Sequence, residues 1–211
     1  MKGIGYGESG IGKTTLCATA PTPLIISAEK GLLSLSHVDI PVIEVDSFKS
    51  LTETYKWITS SKEAEQYETI CLDSISDLAE VLLAEYKPQF KDGRQAYGKM
   101  GEDVAEAVRR FRDLESKNVY IIAKIKRQVD ESTGFVTYVP SIPGQAMLQN
   151  LPYFFDLVFV MRHMKNPETK EKGRFIQTSG DAQFIAKDRS NKLNKIEVPD
   201  LGTIISKMKG E

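Results

Sequence analysis

A glycine-rich loop near the start of the chain constrains the fold more than any other feature. Residues Gly7 to Thr14 read Gly-Glu-Ser-Gly-Ile-Gly-Lys-Thr, between a short extended run and a plausible helix. Glycines at these spacings let backbone N–H groups turn inward around phosphate oxygens, while Lys13 would reach the β- and γ-phosphates and Thr14 would bind Mg²⁺. The motif predicts an α/β fold that binds a nucleoside triphosphate; a chance match is the alternative. The predicted nucleotide-binding residues are Gly7, Glu8, Ser9, Gly10, Ile11, Gly12, Lys13, Thr14 and Thr15.

Length and composition indicate one intracellular domain. The 211 residues suffice for one well-buried core and no Pro/Gly/Ser-rich linker divides them, so we predict a single domain over residues 1–211. Cys17 and Cys71 lack metal-ligand spacing and are typical of small buried hydrophobes in a reducing compartment. The longest apolar stretch, Leu151 to Met161, is interrupted by Asp156, and no basic-then-apolar leader opens the chain. We therefore expect a cytoplasmic protein without a membrane partner.

The net charge of −1 conceals an uneven distribution. Residues 29–85 carry twelve acidic and four basic side chains, whereas residues 86–211 carry sixteen acidic and twenty-two basic ones. A near-neutral total argues against a protein that coats polyanions over its whole surface, but it leaves room for one basic face. A solvated surface of mixed charge is the alternative.

Short apolar runs alternate with helical patterns along most of the chain. Val119 to Ala123 is the clearest buried strand, and apolar spacing predicts helices over 47–60 and 103–117. Further strands are predicted at 2–6, 24–27, 42–45, 69–72, 135–139, 157–164, 174–178 and 184–186, further helices at 15–20, before residue 86 and at 201–208, and a loop at 87–100. This order predicts a three-layer α/β fold with a mostly parallel central sheet, helices on both faces and an antiparallel C-terminal extension.

Two acidic residues follow predicted strands, at the edge of the sheet where such folds bind ligands. Asp73 closes the fourth predicted strand, where a phosphate-loop enzyme needs a carboxylate to hold Mg²⁺ together with Thr14; an Asp at this place can also cap the next helix. Ser74 follows it instead of a Glu, so a water-activating base must come from elsewhere or be absent. Glu29, two residues past the second predicted strand, is the best candidate. A surface Glu paired with Lys30 is the alternative.

Four segments occur in the order seen in a known family. They are the phosphate loop at 7–15, the turn at 27–31, Leu72-Asp73-Ser74 and Ala186-Lys187-Asp188-Arg189. With them the chain resembles RecA-type recombinase cores, above all the short phage ATPases of that type, RecA-like single-strand annealing proteins often described as phage nucleotide-binding or AAA-like. The resemblance spans nearly the whole chain, and of its motifs the phosphate loop alone is specific.

The resemblance implies a RecA-type P-loop NTPase fold that hydrolyses ATP with Mg²⁺. It implies catalytic roles for Lys13 and Glu29, with Glu29 activating water, and it places Lys187 and Arg189 at the γ-phosphate of a neighbouring subunit. A basic turn is the alternative for that pair. The implied partners are further copies of the chain in a ring or filament with ATP at the subunit interface, single-stranded DNA, and a single-stranded DNA-binding protein. The implied role is annealing or homologous recombination, in the host cytoplasm for a phage protein.

The chain departs from the family in two places. The longer recombinases carry an N-terminal segment that links subunits, and no such segment precedes the phosphate loop in this sequence. The family usually places a polar amide pair that senses the γ-phosphate after the strand that corresponds to residues 119–123. This sequence has Lys124, Ile125 and Lys126 there, so sensing by a lysine is open.

The DNA-facing loops of the family correspond to about residues 86–100 and 127–148. The first interleaves cations with aromatic rings, which suits the backbone and the bases of a single strand. The second is less basic and contains a hairpin pattern around Gly134, followed by a short helix after Pro143. A disordered lid over the nucleotide is the alternative for both. The implied DNA-binding residues are Lys87, Phe90, Lys91, Arg94, Tyr97, Lys99 and Arg127.

Two other functions use the same loop. A small-molecule or nucleotide kinase needs an acceptor pocket and usually an arginine-rich lid, and the C-terminal part of this sequence offers no dense arginine cluster. An ATP-dependent switch or scaffold without DNA binding would bind the nucleotide and a protein partner with negligible turnover. Both stay open as alternatives to an ATPase acting on DNA.

Overall fold

The computed structural model describes residues 1–29, 38–143, 151–165 and 170–211. The strands are β1 (Lys2–Gly7), β2 (Pro23–Ser27), β3 (Val42–Glu44), β4 (Thr69–Asp73), β5 (Asn118–Val129), β6 (Val136–Ser141), β7 (Leu157–Lys165), β8 (Lys172–Gln177), β9 (Lys187–Asp188) and β10 (Ile196–Glu197). The helices are α1 (Lys13–Cys17), α2 (Phe48–Ser60), α3 (Ile75–Tyr86), α4 (Gly93–Arg112) and α5 (Leu201–Lys209). Of the helices in the described part of the chain, none has the length and apolarity needed to span a bilayer.

The described strands form one sheet in the order β10-β8-β7-β1-β5-β4-β2-β3, with β6 added to β5 and β9 added to β7. Strand β1 lies inside the sheet, parallel to β5 on one side and to β7 on the other. The parallel part continues through β4, β2 and β3, while β8 and β10 extend the opposite edge in antiparallel pairing. The carboxyl ends of β1, β4 and β2 therefore lie along one edge of the sheet, which is where the predicted site residues follow their strands.

Side chains alternate along a strand, so neighbouring strand residues contribute to two hydrophobic clusters on opposite faces of the sheet. Ile4 and Tyr6 belong to the cluster under α2, α3 and α4, whereas Tyr120 and Phe159 pack with α1 and α5. The rings of Tyr120 and Phe159 stack with centroids 5.7 Å apart, and a Cβ on Gly5 would lie 2.5 Å from the Phe159 ring. Helices on both faces of a mostly parallel sheet confirm the predicted three-layer α/β fold.

Most elements predicted from the sequence are confirmed. The strands expected at 2–6, 24–27, 42–45, 69–72, 119–123, 157–164 and 174–178 overlap β1, β2, β3, β4, β5, β7 and β8, and the helices expected at 47–60 and 201–208 overlap α2 and α5. The hairpin expected around Gly134 forms from β5 and β6. The strand expected at 184–186 is wrong, since only Phe184 forms an isolated bridge there, to Tyr138.

The loop predicted at 87–100 is also wrong. A 3₁₀ turn at Lys87–Gln89 is followed by α4, which begins at Gly93. The Asp92 side chain caps this helix by accepting a hydrogen bond from the Arg94 N–H, at 2.9 Å. The helix buries residues spaced four apart, namely Ala96, Met100, Val104 and Val108. The early part of this apolar stripe consists of one alanine and one methionine among glycines and charges, so it resembled a loop.

Some predicted features lie outside the described residues. These are Lys30 and the second half of the 27–31 turn, the short helix after Pro143, and residues 144–148 of the second predicted DNA loop. Arg127, in the described part of that loop, lies on β5 opposite Tyr138 of β6.

Candidate nucleotide site

The phosphate loop joins β1 to α1 with the backbone that its glycines allow. Gly10 and Gly12 have φ angles of 74° and 99°, in the left-handed region that favours glycine. Ile11 between them is buried and anchors the loop in the core. A Cβ on Gly7 would collide with the carbonyl oxygen of Met161 on β7. The spacing of the motif therefore reflects two turn conformations and one close approach of backbone to backbone.

Lys13 holds its ammonium group inside the loop. Its Nζ donates to the carbonyl oxygens of Gly7 and Glu8, at 2.9 and 2.7 Å. Burial lowers the pKa of Lys13, while the negative charges of Asp73 and Glu29 act in the opposite direction. The ammonium is thus placed in the mouth of the loop, where this motif directs it at the β- and γ-phosphates.

Thr14 and Asp73 come together at the edge of the sheet. Thr14 Oγ1 donates to Asp73 Oδ2 at 2.5 Å, although the residues are 59 positions apart. Asp73 is 2% exposed, and burial raises its pKa to about 6; the Thr14 hydrogen bond opposes this rise and the charge of Glu29 adds to it. The peptide bond between Asp73 and Ser74 is cis.

A buried carboxylate that is costly to ionise, beside a hydroxyl oxygen, fits a magnesium site. Hydroxyl and carboxylate oxygens are the hard ligands that Mg²⁺ selects, and a divalent cation would favour the ionised form of Asp73. Thr14 and Asp73 are the residues that would hold the ion. The ion would supply neutralisation of phosphate charge.

Glu29 is held at the carboxyl end of β2, next to Asp73. Ser27, the last residue of β2, pairs in register with Asp73, and the Ala28 N–H donates to the Asp73 carbonyl at 2.9 Å. The Ser27 hydroxyl donates to the Glu29 carbonyl at 2.9 Å and accepts from the Glu29 N–H at 3.2 Å. Glu29 itself is exposed. Its carboxylate therefore lines the phosphate cleft from a position that the backbone fixes.

These residues surround a cleft of about 530 Å³ at the carboxyl edge of the sheet. The cleft is lined by Gly7, Ser9, Gly10, Gly12, Lys13, Thr14, Thr15, Glu29, Asp73, Ser74, Asp77, Ile122, Lys124, Ile125 and Arg174. The structure thus brings the loop, the predicted metal ligands and the predicted base into one site, as expected for residues that follow parallel strands. Glu8 and Ile11 belong to the loop without lining the cleft.

Lys124 lines the cleft and is a lysine that the sequence left open as a sensor of the γ-phosphate. Its ammonium group, however, is paired with acidic side chains. Its Nζ lies 2.6 Å from Asp77 Oδ1 and 3.3 Å from Glu80 Oε1. Burial acts to lower the pKa of Lys124, yet these two carboxylates outweigh it and raise the pKa. Ser74 caps α3, because its hydroxyl accepts a hydrogen bond from the Asp77 N–H at 3.1 Å and donates one to the Asp77 carboxylate. The charge of Lys124 is therefore neutralised by α3.

Sequence reasoning missed Arg174, which enters the cleft from β8. Its Nη1 lies 3.5 Å from the Ile11 carbonyl oxygen, and 2.6 Å from where a Cβ would stand on Gly12. No motif marks this residue, because it is a single arginine in an ordinary strand. Only the pairing of β8 with β7 brings it beside the loop.

Lys187 and Arg189 lie at the other end of the sheet. Asp188 between them pairs with Leu157, which pairs with Gly3 at the amino end of β1. Gly7, where the phosphate loop starts, is four residues further along, about 13 Å at the rise of a strand. Within one chain the structure does not bring this pair to the cleft.

The residues predicted to bind DNA divide into exposed and packed side chains. Phe90 is half-buried against the core, and Lys99 pairs with Asp103 at 2.7 Å. Tyr97 is 44% exposed, and Arg94 forms an exposed pair with Asp92 at 3.0 Å. The remaining members, Lys87, Lys91 and Arg127, are exposed.

Comparison with known proteins assigns the chain to a class. A family model described as an AAA domain, AAA_24, matches residues 1–190. No curated protein sequence matches the chain. Among solved structures, the chain is similar to a KaiC-like protein from the hyperthermophilic archaeon Pyrococcus horikoshii OT3, with a TM-score of 0.41 and 12% sequence identity over 83% of this chain and 76% of that one.

Proposed function

This chain belongs to the AAA domain family, with an α/β P-loop NTPase fold and a nucleotide-hydrolysing ATPase core, and we propose that the core acts on DNA as an oligomer. In this proposal it binds single-stranded DNA and promotes annealing or strand pairing in phage-type recombination. ATPases of this class generally use ATP with Mg²⁺. The observation that carries the proposal is that the predicted nucleotide cleft and the cationic pair Lys187 and Arg189 lie at opposite ends of the sheet, where we propose that each is half of an ATP site.

The first half is the cleft, where Lys13, Thr14 and Asp73 can hold Mg²⁺–ATP and Glu29 can orient water. In the proposed reaction the Glu29 carboxylate accepts a proton from the water that attacks the γ-phosphorus, while the bond from phosphorus to the β,γ-bridging oxygen breaks. The products are ADP and inorganic phosphate. Lys13 offsets the charge on the β- and γ-phosphates.

The second half is the cationic pair Lys187 and Arg189. The Lys187 ammonium lies 5.8 Å from the centroid of the Tyr153 ring, and Tyr153 is 73% exposed. Burial and then the positive charge of Arg189 lower the pKa of Lys187, so an anion that contacts both would relieve their repulsion. Cations at the amino end can serve a cleft at the carboxyl end only when subunits stack head to tail, which generates rings or filaments. Tyr153 would be the aromatic anchor of that interface.

Support for DNA binding comes from the surface around the start of α4. Lys87, Lys91, Arg94 and Tyr97 are exposed there within eleven residues, and Arg127 is exposed on the β5–β6 hairpin. Cations with an aromatic ring suit a single strand, because the backbone is charged and every base has a face to stack on. Arg94 and Tyr97 lie on α4, and a rigid helix presents them with less loss of entropy than the loop that the sequence predicted. A single-stranded DNA-binding protein is a proposed further partner.

The proposal is tested by the rate of ATP hydrolysis per subunit. We expect this rate to rise with protein concentration and with added single-stranded DNA, because assembly completes each site. Double-stranded DNA of equal phosphate concentration is the control, and it should stimulate less. A rate per subunit that responds to neither protein concentration nor single-stranded DNA would contradict the proposal.

Glu29→Gln separates turnover from binding. A general base is worth about 10²–10⁴-fold in rate, so the variant should lose that factor in hydrolysis and keep its affinity for ATP. If the wild-type protein itself binds ATP without hydrolysing it, so that the substitution changes little, a switch or scaffold is supported instead. Transfer of phosphate to a nucleoside monophosphate, without release of inorganic phosphate, would support a kinase.

A further inference from the structure

Arg174 reaches the phosphate loop from within the same chain. It lies opposite His163 of β7, two residues beyond Met161, which pairs with Gly7 where the loop begins. From there the guanidinium extends over the loop, with Nη1 3.5 Å from the Ile11 carbonyl oxygen. A side chain on Gly12 would collide with it, since a Cβ there would lie 2.6 Å from Nη1. The loop and Arg174 therefore fit each other at Gly12.

The charge of Arg174 has no counter-ion among the described residues. Its one hydrogen bond in that part of the chain is the long contact to a neutral carbonyl. The other cations of the cleft are engaged more closely: Lys124 by Asp77 and Glu80, and Lys13 by two loop carbonyls below 3 Å. Arg174 is exposed on the cleft side, so its guanidinium is the cation best able to accept an anion as an additional partner.

The position of Arg174 indicates which part of the nucleotide it meets. In loops of this type the backbone around Gly12 to Thr15 cradles the α- and β-phosphates, and the loop lysine reaches the β- and γ-phosphates. In the sheet order β8-β7-β1-β5-β4-β2, Arg174 approaches from one side of β1, whereas Asp73 and Glu29 follow strands on the other side. Arg174 thus lies away from the groups that would act on the γ-phosphate.

We propose that Arg174 is a nucleotide-binding residue that grips the α- and β-phosphates in cis, through the two-pronged donor geometry of its guanidinium. The inference deepens the proposed function, because it rests on the same nucleotide site but not on oligomer formation or DNA. One arginine of the chain then retains the diphosphate product, and Lys187 and Arg189 of a neighbour have a separate task at the γ-phosphate.

The test compares the affinities for Mg²⁺–ADP and for a non-hydrolysable ATP analogue. Arg174→Ala should raise both dissociation constants by about the same factor, on the order of 10–100-fold, as expected for loss of a charged hydrogen bond. Arg174→Lys should recover part of the loss, and Lys172→Ala, an exposed cation two residues along the same strand, should change neither constant. Unfolding midpoints equal to wild type establish that the variants are folded. Loss of affinity for the ATP analogue alone, or for neither ligand, would overturn the proposal.

A mixing experiment tests the assignment in cis. Chains carrying Arg174→Ala are mixed with chains carrying Lys13→Ala, and hydrolysis is compared with the sum of the separate rates. Because both residues belong to one chain's site, the mixture should not exceed that sum, and recovery above it would overturn the assignment. If both nucleotides bind as predicted while hydrolysis ignores protein concentration and DNA, the proposed function fails and the role of Arg174 stands.

Discussion

The two ends of the sheet hold cations in different ways. At the carboxyl end, Lys13 is hydrogen-bonded inside the loop and Asp73 is buried, so the site is organised within one chain. At the amino end, Lys187 stands beside the exposed ring of Tyr153, and Arg189 makes an exposed pair with Asp156 at 3.3 Å. Exposed pairs contribute little to stability. The carboxyl end is therefore preorganised, while in the proposed assembly the amino end would gain its order from the neighbouring subunit.

The largest expected effect tests whether the amino end acts across a subunit contact. Arg189→Ala should lower the hydrolysis rate of the assembled protein by about 10³-fold, the usual worth of an arginine that stabilises transferring phosphate. Mixing it with Lys13→Ala chains should restore hydrolysis above the sum of the separate rates. Each restored site would combine an intact loop with a neighbour's intact arginine.

The control for this experiment is Arg112→Ala. Arg112 lies over the Phe154 ring beside the same region and pairs with Asp113 at 2.6 Å, but the proposal gives it no contact with ATP. Its rate should match wild type. Equal losses in the two variants, or a mixture that shows no recovery, would mean that the amino end does not complete the site.

The next effect tests the carboxyl end alone. Asp73→Asn should lower the rate by about 100-fold, as for loss of a carboxylate that supports a metal, and should weaken Mg²⁺-dependent ATP binding at every protein concentration. Asp113→Asn, an exposed carboxylate at the amino end, should leave both unchanged. A loss that disappears on mixing with Lys13→Ala chains would show that Asp73 serves a neighbour and that the carboxyl end is not organised within one chain.

The carboxyl end was predictable from sequence for a physical reason. Glycine spacing fixes the loop backbone, and parallel strands deliver Asp73 and Glu29 to one edge, so local patterns sufficed to place these groups in one site. Arg174 was not predictable, because its role depends on the antiparallel pairing of β8 with β7 and no local pattern encodes that pairing. The sequence likewise did not show that Lys187 and the phosphate loop lie at opposite ends of the sheet, because that depends on the antiparallel pairing of β9 with β7.

The failure at residues 87–100 has a different cause. Pro88, Gly93 and Gly98 lowered the apparent helix propensity, whereas burial of Ala96 and Met100 against the core decides the conformation. Tertiary packing outweighed local preference there. The three layers were predictable from the alternation of strands and helices, because the side chains of each strand alternate between two hydrophobic clusters, one on each face of the sheet.

A smaller effect concerns the free energy of unfolding, which burial of Asp73 at the carboxyl end should lower at a pH where the free carboxyl group is ionised. The folded state raises the pKa of Asp73 from 3.8 to about 6, so between these pH values the folded protein holds a proton that the unfolded chain releases. The free energy of unfolding should therefore fall as pH rises through this window, by about 3 kcal/mol. Asp73→Asn should remove that slope, measured by denaturant unfolding in EDTA. An unchanged slope would show that Asp73 is ionised without a metal.

The smallest effect separates the two ends of α4 in DNA binding. Arg94→Ala, at the first turn, should weaken binding to single-stranded DNA about threefold, because the side chain already shares its charge with Asp92. It should also reduce the slope of log affinity against log salt concentration by about one phosphate contact. Arg112→Ala, at the last turn of the same helix, removes an equal charge and should change neither quantity. Equal losses from both variants would mean that DNA responds to the net charge of the protein and not to a surface at the start of α4.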